Sequence, residues 1–283
     1  MGKSNISYLD YVYSPVTGCS GTGCKAHCYA REIVRRFPLI HWNGDSNDLP
    51  VNFFQSPFFE KVRFHPDRLS EPLHWKKPRV IGVCFFGDWM DDQVRPSWID
   101  QILEVISACP QHQFVSLTKQ ARNLEPKIYG FDEEVPCREL GGGDYLPNLW
   151  NGVTVCTQAE ADERIPELLK VPGKKWLSIE PMLGPVIINP FWLECVGAFE
   201  CDKRRPDHGP TVCHPFPCPP RIHAVILGGE SGPKRRPLHP DWVRSVRDQC
   251  AASGVPFYFK SWGNPKKERI LDGLTHDDLP WRS

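Results

Sequence analysis

The sequence has no excess of charge of either sign, no long apolar run and no internal repeat. Its 34 Lys and Arg balance 34 Asp and Glu, for a formal net charge of +0. That balance argues against a protein that coats a polyanion, while leaving room for a local basic patch. No apolar stretch approaches the ~18 residues of a membrane span. The opening residues, Met1-Gly2-Lys3-Ser4-Asn5, lack the apolar core of a secretory signal. The expectation is a cytoplasmic chain with no membrane partner. Two residue types are abundant instead: 29 prolines, about twice the usual ~5% share, and 12 cysteines. A 40% hydrophobic and 24% charged composition is that of a globular chain able to bury a sizeable core. Disorder and collagen are thereby excluded. At 283 residues the chain could hold two average domains, or one α/β barrel, usually ~250 residues.

Short β-like runs alternate with amphipathic helical stretches. Arg79 to Phe86 is a continuous apolar run suited to a strand buried on both faces. Trp98, Ile99, Ile102, Leu103, Val105 and Ile106 then recur at helical spacing. Further strands are predicted over residues 112–118, 149–156, 176–179, 223–227 and 255–259, with helices over 159–169 and 240–252. With a first strand around Leu9–Val16 the count is seven. The alternation implies a mostly parallel sheet, and seven strands suit a partial (β/α) barrel forming a single domain over residues 1–283. Residues 38–73 read as a long loop or small elaboration, 128–147 as a loop, and 195–220 as a Cys- and Pro-rich insertion.

In such folds chemistry gathers at the C-terminal ends of the strands. Those ends carry Cys19, Gly87-Asp88, Thr118-Lys119, Thr157-Gln158, Glu180, Gly229-Glu230 and Lys260. Polar groups at nearly every strand end are hard to explain as packing. Lys119, Arg164, Lys260 and Trp262 would make a basic, aromatic rim able to accept a phosphate or a stacked base; solvated charges and a core indole are the alternative.

Without a secretory signal, twelve cysteines should be thiols, metal ligands or catalytic groups rather than a disulfide framework. Cys84, Cys109, Cys156 and Cys250 stand singly in apolar segments and read as small buried hydrophobes. Cys137, in a polar stretch, says nothing by itself. Cys19, Cys24 and Cys28 instead fall within ten residues, in a loop containing Gly21 and Gly23 and followed by a predicted helix. Three thiolates leave one iron of a [4Fe–4S] cube without a protein ligand, free for a substrate or cofactor. A zinc site completed by His27 or a distant residue is the alternative, but zinc knuckles normally come as two halves and only one is present. A fortuitous grouping also stays open.

Several segments together resemble the three-Cys-motif, phage gp-type family of radical-SAM-like iron–sulfur proteins. They are Thr17-Gly18-Cys19, Gly23-Cys24, Cys28-Tyr29-Ala30, His65 to Leu69, Leu117-Thr118-Lys119, Ala161 to Pro166, Ser178 to Pro185, Gly228 to Pro233, His239 to Arg244 and Phe259 to Gly263. The resemblance runs from about residue 8 to 264. It implies that Cys19, Cys24 and Cys28 ligate a [4Fe–4S] cluster and that the open iron chelates S-adenosylmethionine (SAM). With an electron donor, reduction would yield a 5′-deoxyadenosyl radical. The spacing here, C-x₄-C-x₃-C, departs from the usual C-x₃-C-x-aromatic-C, and His27 occupies the aromatic slot before Cys28, with Tyr29 after it.

Such enzymes hold the SAM ammonium with a Gly-Gly-Glu-like turn after the second strand, where this chain has Gly87-Asp88. Thr118, Gln158 and Glu180 are expected near ribose or adenine, and Glu230 towards the substrate. An ordinary loop cap or surface carboxylate is the alternative for each. Cys195, Cys201, Cys213 and Cys218 lie in an insertion poor in apolar residues, for which a metal is the natural staple. Zinc, an auxiliary Fe–S cluster and a reduced loop all remain open there. Three functions follow: a radical-SAM enzyme acting on an unknown substrate, with nucleotide or nucleic acid the class considered; a zinc-stapled module binding nucleic acid or protein; and a metal-dependent hydrolase using Asp88, Glu180 and Glu230. The first is favoured.

Overall fold

The computed structural model describes residues 3–21, 28, 61–128, 145–193, 222–231, 235–263 and 268–282. Its strands are β1 (Tyr11–Tyr13), β2 (Val16–Thr17), β3 (Arg63–Phe64), β4 (Val80–Val83), β5 (Gln113–Ser116) and β6 (Leu149–Thr154). They continue with β7 (Lys174–Ile179), β8 (Ala224–Gly228), β9 (Phe257–Ser261), β10 (Ile270–Leu271) and β11 (Leu274–Thr275). The helices are α1 (Pro96–Ser107), α2 (Leu124–Ile128), α3 (Gln158–Lys170), α4 (Pro190–Leu193) and α5 (Pro240–Ala252). Seven strands form one sheet in the order β1-β4-β5-β6-β7-β8-β9. The order follows the chain without the reversal that marks a doubly wound sheet. This is the winding of a (β/α) barrel, and with seven strands it is the partial-barrel α/β class that the sequence predicts.

The chain divides into two compact units, Met1–Val153 with Lys170–Gly173, and Thr154–Leu169 with Lys174–Ser283. In the first, β1, β4, β5 and β6 pair in parallel, with Tyr11 beside Ile81, Ile81 beside Phe114 and Phe114 beside Leu149. All four residues of β4 and all six of β6 are buried, as parallel strands covered on both faces require. Helix α1 starts on Pro96, whose missing N–H is an orphan at that position anyway, and buries Ile99, Ile102, Leu103 and Ile106 on one face.

Two of the boundaries that differ from the sequence reading do so for backbone reasons. The predicted first strand breaks at Ser14-Pro15. Pro15 has no N–H for a ladder, so β1 stays in the large sheet while β2 pairs antiparallel with β3, Val16 beside Phe64. Within the segment expected as a long loop or small elaboration over 38–73, the described residues hold β3 and 3-10 turns at Pro66–Arg68 and Glu71–His74. Strand β4 ends at Val83 although the apolar run continues, because Cys84 takes a left-handed φ of 56°.

In the second unit β7, β8 and β9 pair in parallel, with Leu177 beside Val225 and Val225 beside Phe257. Helix α3 buries Ala161, Ile165 and Leu168; α5 buries Val243, Val246 and Cys250. The chain after β9 folds back along it: Phe259 N–H donates to His276 O at 2.9 Å, and Trp281 meets Trp176 edge-on at 5.6 Å. Within this return β10 and β11 form a hairpin closed by Asp272 and Gly273, at φ 51° and 81°. Those left-handed values are what an Asp-Gly two-residue hairpin turn needs.

Cys84, Cys109, Cys156 and Cys250 are all buried, as expected of small hydrophobes. Among the described residues no helix is long and apolar enough to cross a membrane.

Candidate functional site

In the first unit the polar strand ends are bound together by backbone contact. Gly18 forms a parallel bridge to Gly87, with Gly18 N–H donating to Phe86 O and Asp88 N–H to Gly18 O, both at 3.2 Å. The approach requires glycine: a Cβ on Gly87 would stand 2.6 Å from Gly18 O and 2.9 Å from Gly18 N. Gly18 itself has φ 87°. The loop carrying Cys19 is therefore fastened along the loop that follows β4.

Asp88 is buried beneath this contact at 7% exposure. Its Oδ1 accepts from Met90 N–H at 3.0 Å and from the Thr118 hydroxyl at 2.7 Å, and its Oδ2 accepts from Lys119 N–H at 3.0 Å. Burial pushes the Asp88 carboxyl above the usual carboxylate range, against the opposing pull of these hydrogen bonds. Thr118 also accepts from Gln120 N–H at 2.9 Å, so it is held at both ends. Gly87, Asp88 and Thr118, all singled out by sequence, come together; the structure adds Asp91, which sequence reading missed. Asp91 is wholly buried and takes hydrogen bonds from Ser20, Gln93 and Gln120.

Cys19 is half-buried, and Gly21 N–H donates to its Sγ at 3.2 Å. A Cβ on Gly21 would lie 3.0 Å from that sulfur, so the backbone cradles Sγ where a side chain would crowd it. An N–H aimed at sulfur stabilises thiolate charge and tunes bound iron. These features fit a metal-bound thiolate at Cys19. Cys28 is also half-buried, and neither residue is in a disulfide. Cys24, His27 and Tyr29 lie outside the described residues. Among the described residues no three Cys, His, Asp or Glu side chains gather as a metal site. The second cysteine group, Cys195, Cys201, Cys213 and Cys218, likewise lies outside them.

In the second unit Glu180, Glu230 and Lys260 occupy the ends of β7, β8 and β9. The register between β8 and β9 shifts at Leu227/Gly228: Leu227 faces Phe259 and Gly228 faces Ser261, leaving Lys260 as the extra residue of a bulge. Bulges re-aim side chains, and here the Lys260 ammonium donates to Glu180 Oε1. Gly228 keeps the space open, since a Cβ there would meet Lys260 Cβ at 3.4 Å and Glu180 Cδ at 3.5 Å. The two side chains keep 20% and 26% exposure, so the pair is covered without being sealed.

Glu230 is gripped by Arg236, which donates from Nε at 2.8 Å, from Nη2 at 2.7 Å and from its backbone N–H at 2.9 Å. This contact holds the Arg236 guanidinium above its ordinary range. Gly229 and Gly263 allow the two turns to cross: a Cβ on Gly229 would lie 2.4 Å from Trp262 O, and one on Gly263 2.2 Å from Glu230 O.

Two further predicted residues are engaged in bracing. Gln158, half-buried at the start of α3, accepts from Ile187 N–H at 2.7 Å and donates to Ile187 O at 3.1 Å and Asp162 Oδ1 at 2.8 Å. Arg164 donates to Thr154 O at 2.7 Å and Glu160 Oε1 at 2.9 Å with 13% of its side chain exposed, so it is a buttress of the β6 end rather than a free rim cation.

A family described as "Protein of unknown function (DUF5131)" matches residues 3–280 of the chain. No curated protein matches. Two solved structures of spore photoproduct lyase are similar at 11% identity. One, a cysteine-to-serine mutant, gives a TM-score of 0.47, covering 91% of this chain and 78% of that one. The other, a tyrosine-to-phenylalanine mutant, gives 0.41 with 88% and 62% covered.

Proposed function

The chain belongs to the DUF5131 family, and from that premise we propose that it is a radical-SAM-type [4Fe–4S] enzyme that cleaves SAM reductively to modify a nucleotide- or nucleic-acid-derived substrate. The observation that carries this reading is the Cys19 loop: a half-buried thiol at the C-terminal end of the sheet, cradled by Gly21 N–H, with its backbone fastened to the Asp88 loop. A loop built this way is held through the backbone of Gly18 and Ser20 on either side of the sulfur.

Cys19, Cys24 and Cys28 would hold the cluster, leaving one iron for the amino and carboxylate groups of SAM. When bound, such a cluster would supply a single electron to the sulfonium, drawn from an electron donor. The chain's own part is binding and orientation. Asp88 Oδ2 has one protein donor and thus acceptor capacity left for the SAM ammonium. Thr118 and Lys119 fix that carboxylate from the β5 side; His27 and Tyr29 flank the third cysteine, and Gln158 and Glu180 are proposed on the ribose and adenine side. Lys260 and Glu180 form an ion pair in a partly covered position, and the pair is proposed to give or take a proton at a substrate atom. Glu230, already held by Arg236, is proposed as a rigid acceptor towards the substrate. A second metal is proposed at Cys195, Cys201, Cys213 and Cys218.

Anaerobic reconstitution with iron and sulfide tests the reading. The expected product is a brown protein with about four iron and four sulfide at the first site, which forms 5′-deoxyadenosine from SAM when reduced with dithionite. Cys19→Ala, Cys24→Ala and Cys28→Ala should each abolish that cluster and leave a folded chain. A colourless zinc protein, or full iron retention in any of the three variants, would overturn it.

A further inference from the structure

Asp91 is wholly buried, yet one of its oxygens takes three hydrogen bonds. Oδ2 accepts from Ser20 N–H at 2.8 Å, the Ser20 hydroxyl at 2.7 Å and Gln120 Nε2 at 2.8 Å; Oδ1 accepts from Gln93 N–H at 3.0 Å. The Asp91 carbonyl in turn receives the Lys127 ammonium, which also donates to Val94 O at 3.0 Å. The carboxylate thus joins the loops after β4 and β5 to the residue that directly follows Cys19.

We propose that Asp91, assisted by Gln120, is the positioning residue that holds Cys19 in its ligating direction before any metal arrives. Both neighbours of Cys19 are fastened. Gly18 is held through its N–H and C=O on the β4 loop, and Ser20 through its N–H and hydroxyl on Asp91. Cys19 then has little backbone freedom, and its Sγ sits over Gly21 N–H. Without Asp91, Ser20 loses both partners and Gln120 loses its anchor, and the Gly18 fastening alone lets the loop pivot. Supporting groups of this kind fix ligand direction and are worth about 10–100-fold in metal affinity.

This inference rests on Cys19 being a cluster ligand, so its test includes a measurement on metal-free protein. Iodoacetamide modification of Cys19, followed by peptide mass spectrometry, reads the freedom of the loop without any cofactor. Asp91→Ala should speed modification at least about tenfold and weaken iron retention against a chelator by about 10–100-fold. Asp91→Asn keeps a carbonyl able to accept from Ser20 and should return both values to within about threefold of wild type.

Ser20→Ala and Gln120→Ala remove one arm each and should give intermediate rates even where Asp91→Ala fails to fold. Unchanged Cys19 modification in the Asp91 variant, or in both single-arm variants, would overturn the inference. Wild-type protein that takes up no iron–sulfur cluster would instead defeat the functional reading, while the modification contrast would survive.

Discussion

Gly87→Ala is the sharpest test of how the candidate site is assembled. The added methyl would lie 2.6 Å from Gly18 O, 2.9 Å from Gly18 N and 3.0 Å from Thr17 C. All three are backbone atoms, so no side chain can swing aside. The two segments must part by close to an ångström, breaking the 3.2 Å bonds Gly18 N–H to Phe86 O and Asp88 N–H to Gly18 O. Overpacking of this kind costs about 1–3 kcal/mol, and each backbone hydrogen bond about 1 kcal/mol net. The sum, about 3–5 kcal/mol, moves the urea midpoint down by about 1–2.5 M at an m-value of ~2–3 kcal/mol/M. The control is Gly184→Ala, where a Cβ meets nothing within 4 Å; it should leave the midpoint within about 0.3 M. The same Gly87 variant should expose Cys19, read as faster thiol modification in the metal-free protein. A Gly87→Ala midpoint equal to that of Gly184→Ala, with Cys19 no more reactive, would refute the claim that this backbone contact holds the cysteine loop.

The Lys260–Glu180 pair should show in a double-mutant cycle of Lys260→Met and Glu180→Gln, with a coupling of about 1–2 kcal/mol for a partly covered pair; additive single effects would show that the bulge does not bring the two into register. Burial, with the Lys175 charge beside it, pulls the His223 imidazole down to about 4. The unfolded chain therefore takes up the proton first, and the stability His223 contributes is complete above pH ~6.5 and lost as pH falls towards 4, by about 1–2 kcal/mol after allowance for solvent screening. Urea titrations at several pH values should show that slope, and His223→Gln should flatten it. Arg244 and Arg247 hold the Asp272 carboxyl at about 2. Amide protection across the β10–β11 hairpin, taken relative to the intrinsic exchange rate, should thus hold at pH 3 and fall as pH drops through 2, and Asp272→Ala should remove that step.

The sheet was legible because parallel strands buried on both faces must be apolar throughout, and runs such as Val80–Val83 and Ala224–Gly228 carry that signature whatever their neighbours. The helices were legible through apolar residues at helical spacing, such as Ile99, Ile102, Leu103 and Ile106. Strand ends were less so. Cys84 is apolar and continues its run, yet a left-handed backbone stops β4 one residue earlier. Phe257–Ser261 runs two residues past the predicted end because the bulge at Lys260 lets pairing resume at Ser261. The β10–β11 hairpin passed unnoticed although Asp272-Gly273 is a strong turn signal, because its strands have only two residues each and show no alternation to count.

The polar strand ends were legible as a set of residues, but sequence could not sort those that present a group from those that brace one. Asp91 is a loop carboxylate like Glu180. The difference is burial and the number of donors each accepts, and neither is a property of one segment. Asp91 owes its three Oδ2 contacts to Ser20, 71 positions earlier, and Gln120, 29 later. Such partners are chosen by the winding of the sheet, which brings the ends of β1, β4 and β5 side by side. The glycines follow the same logic in reverse. Gly87 and Gly229 look like loose turn residues in the sequence, but each is where one backbone presses on another, 2.6 Å and 2.4 Å from an absent Cβ. A cysteine loop that must present sulfur to a metal cannot be held by burying its own side chains. It has to be fastened through its backbone, and that requires a glycine on the facing strand end and a buried carboxylate behind it.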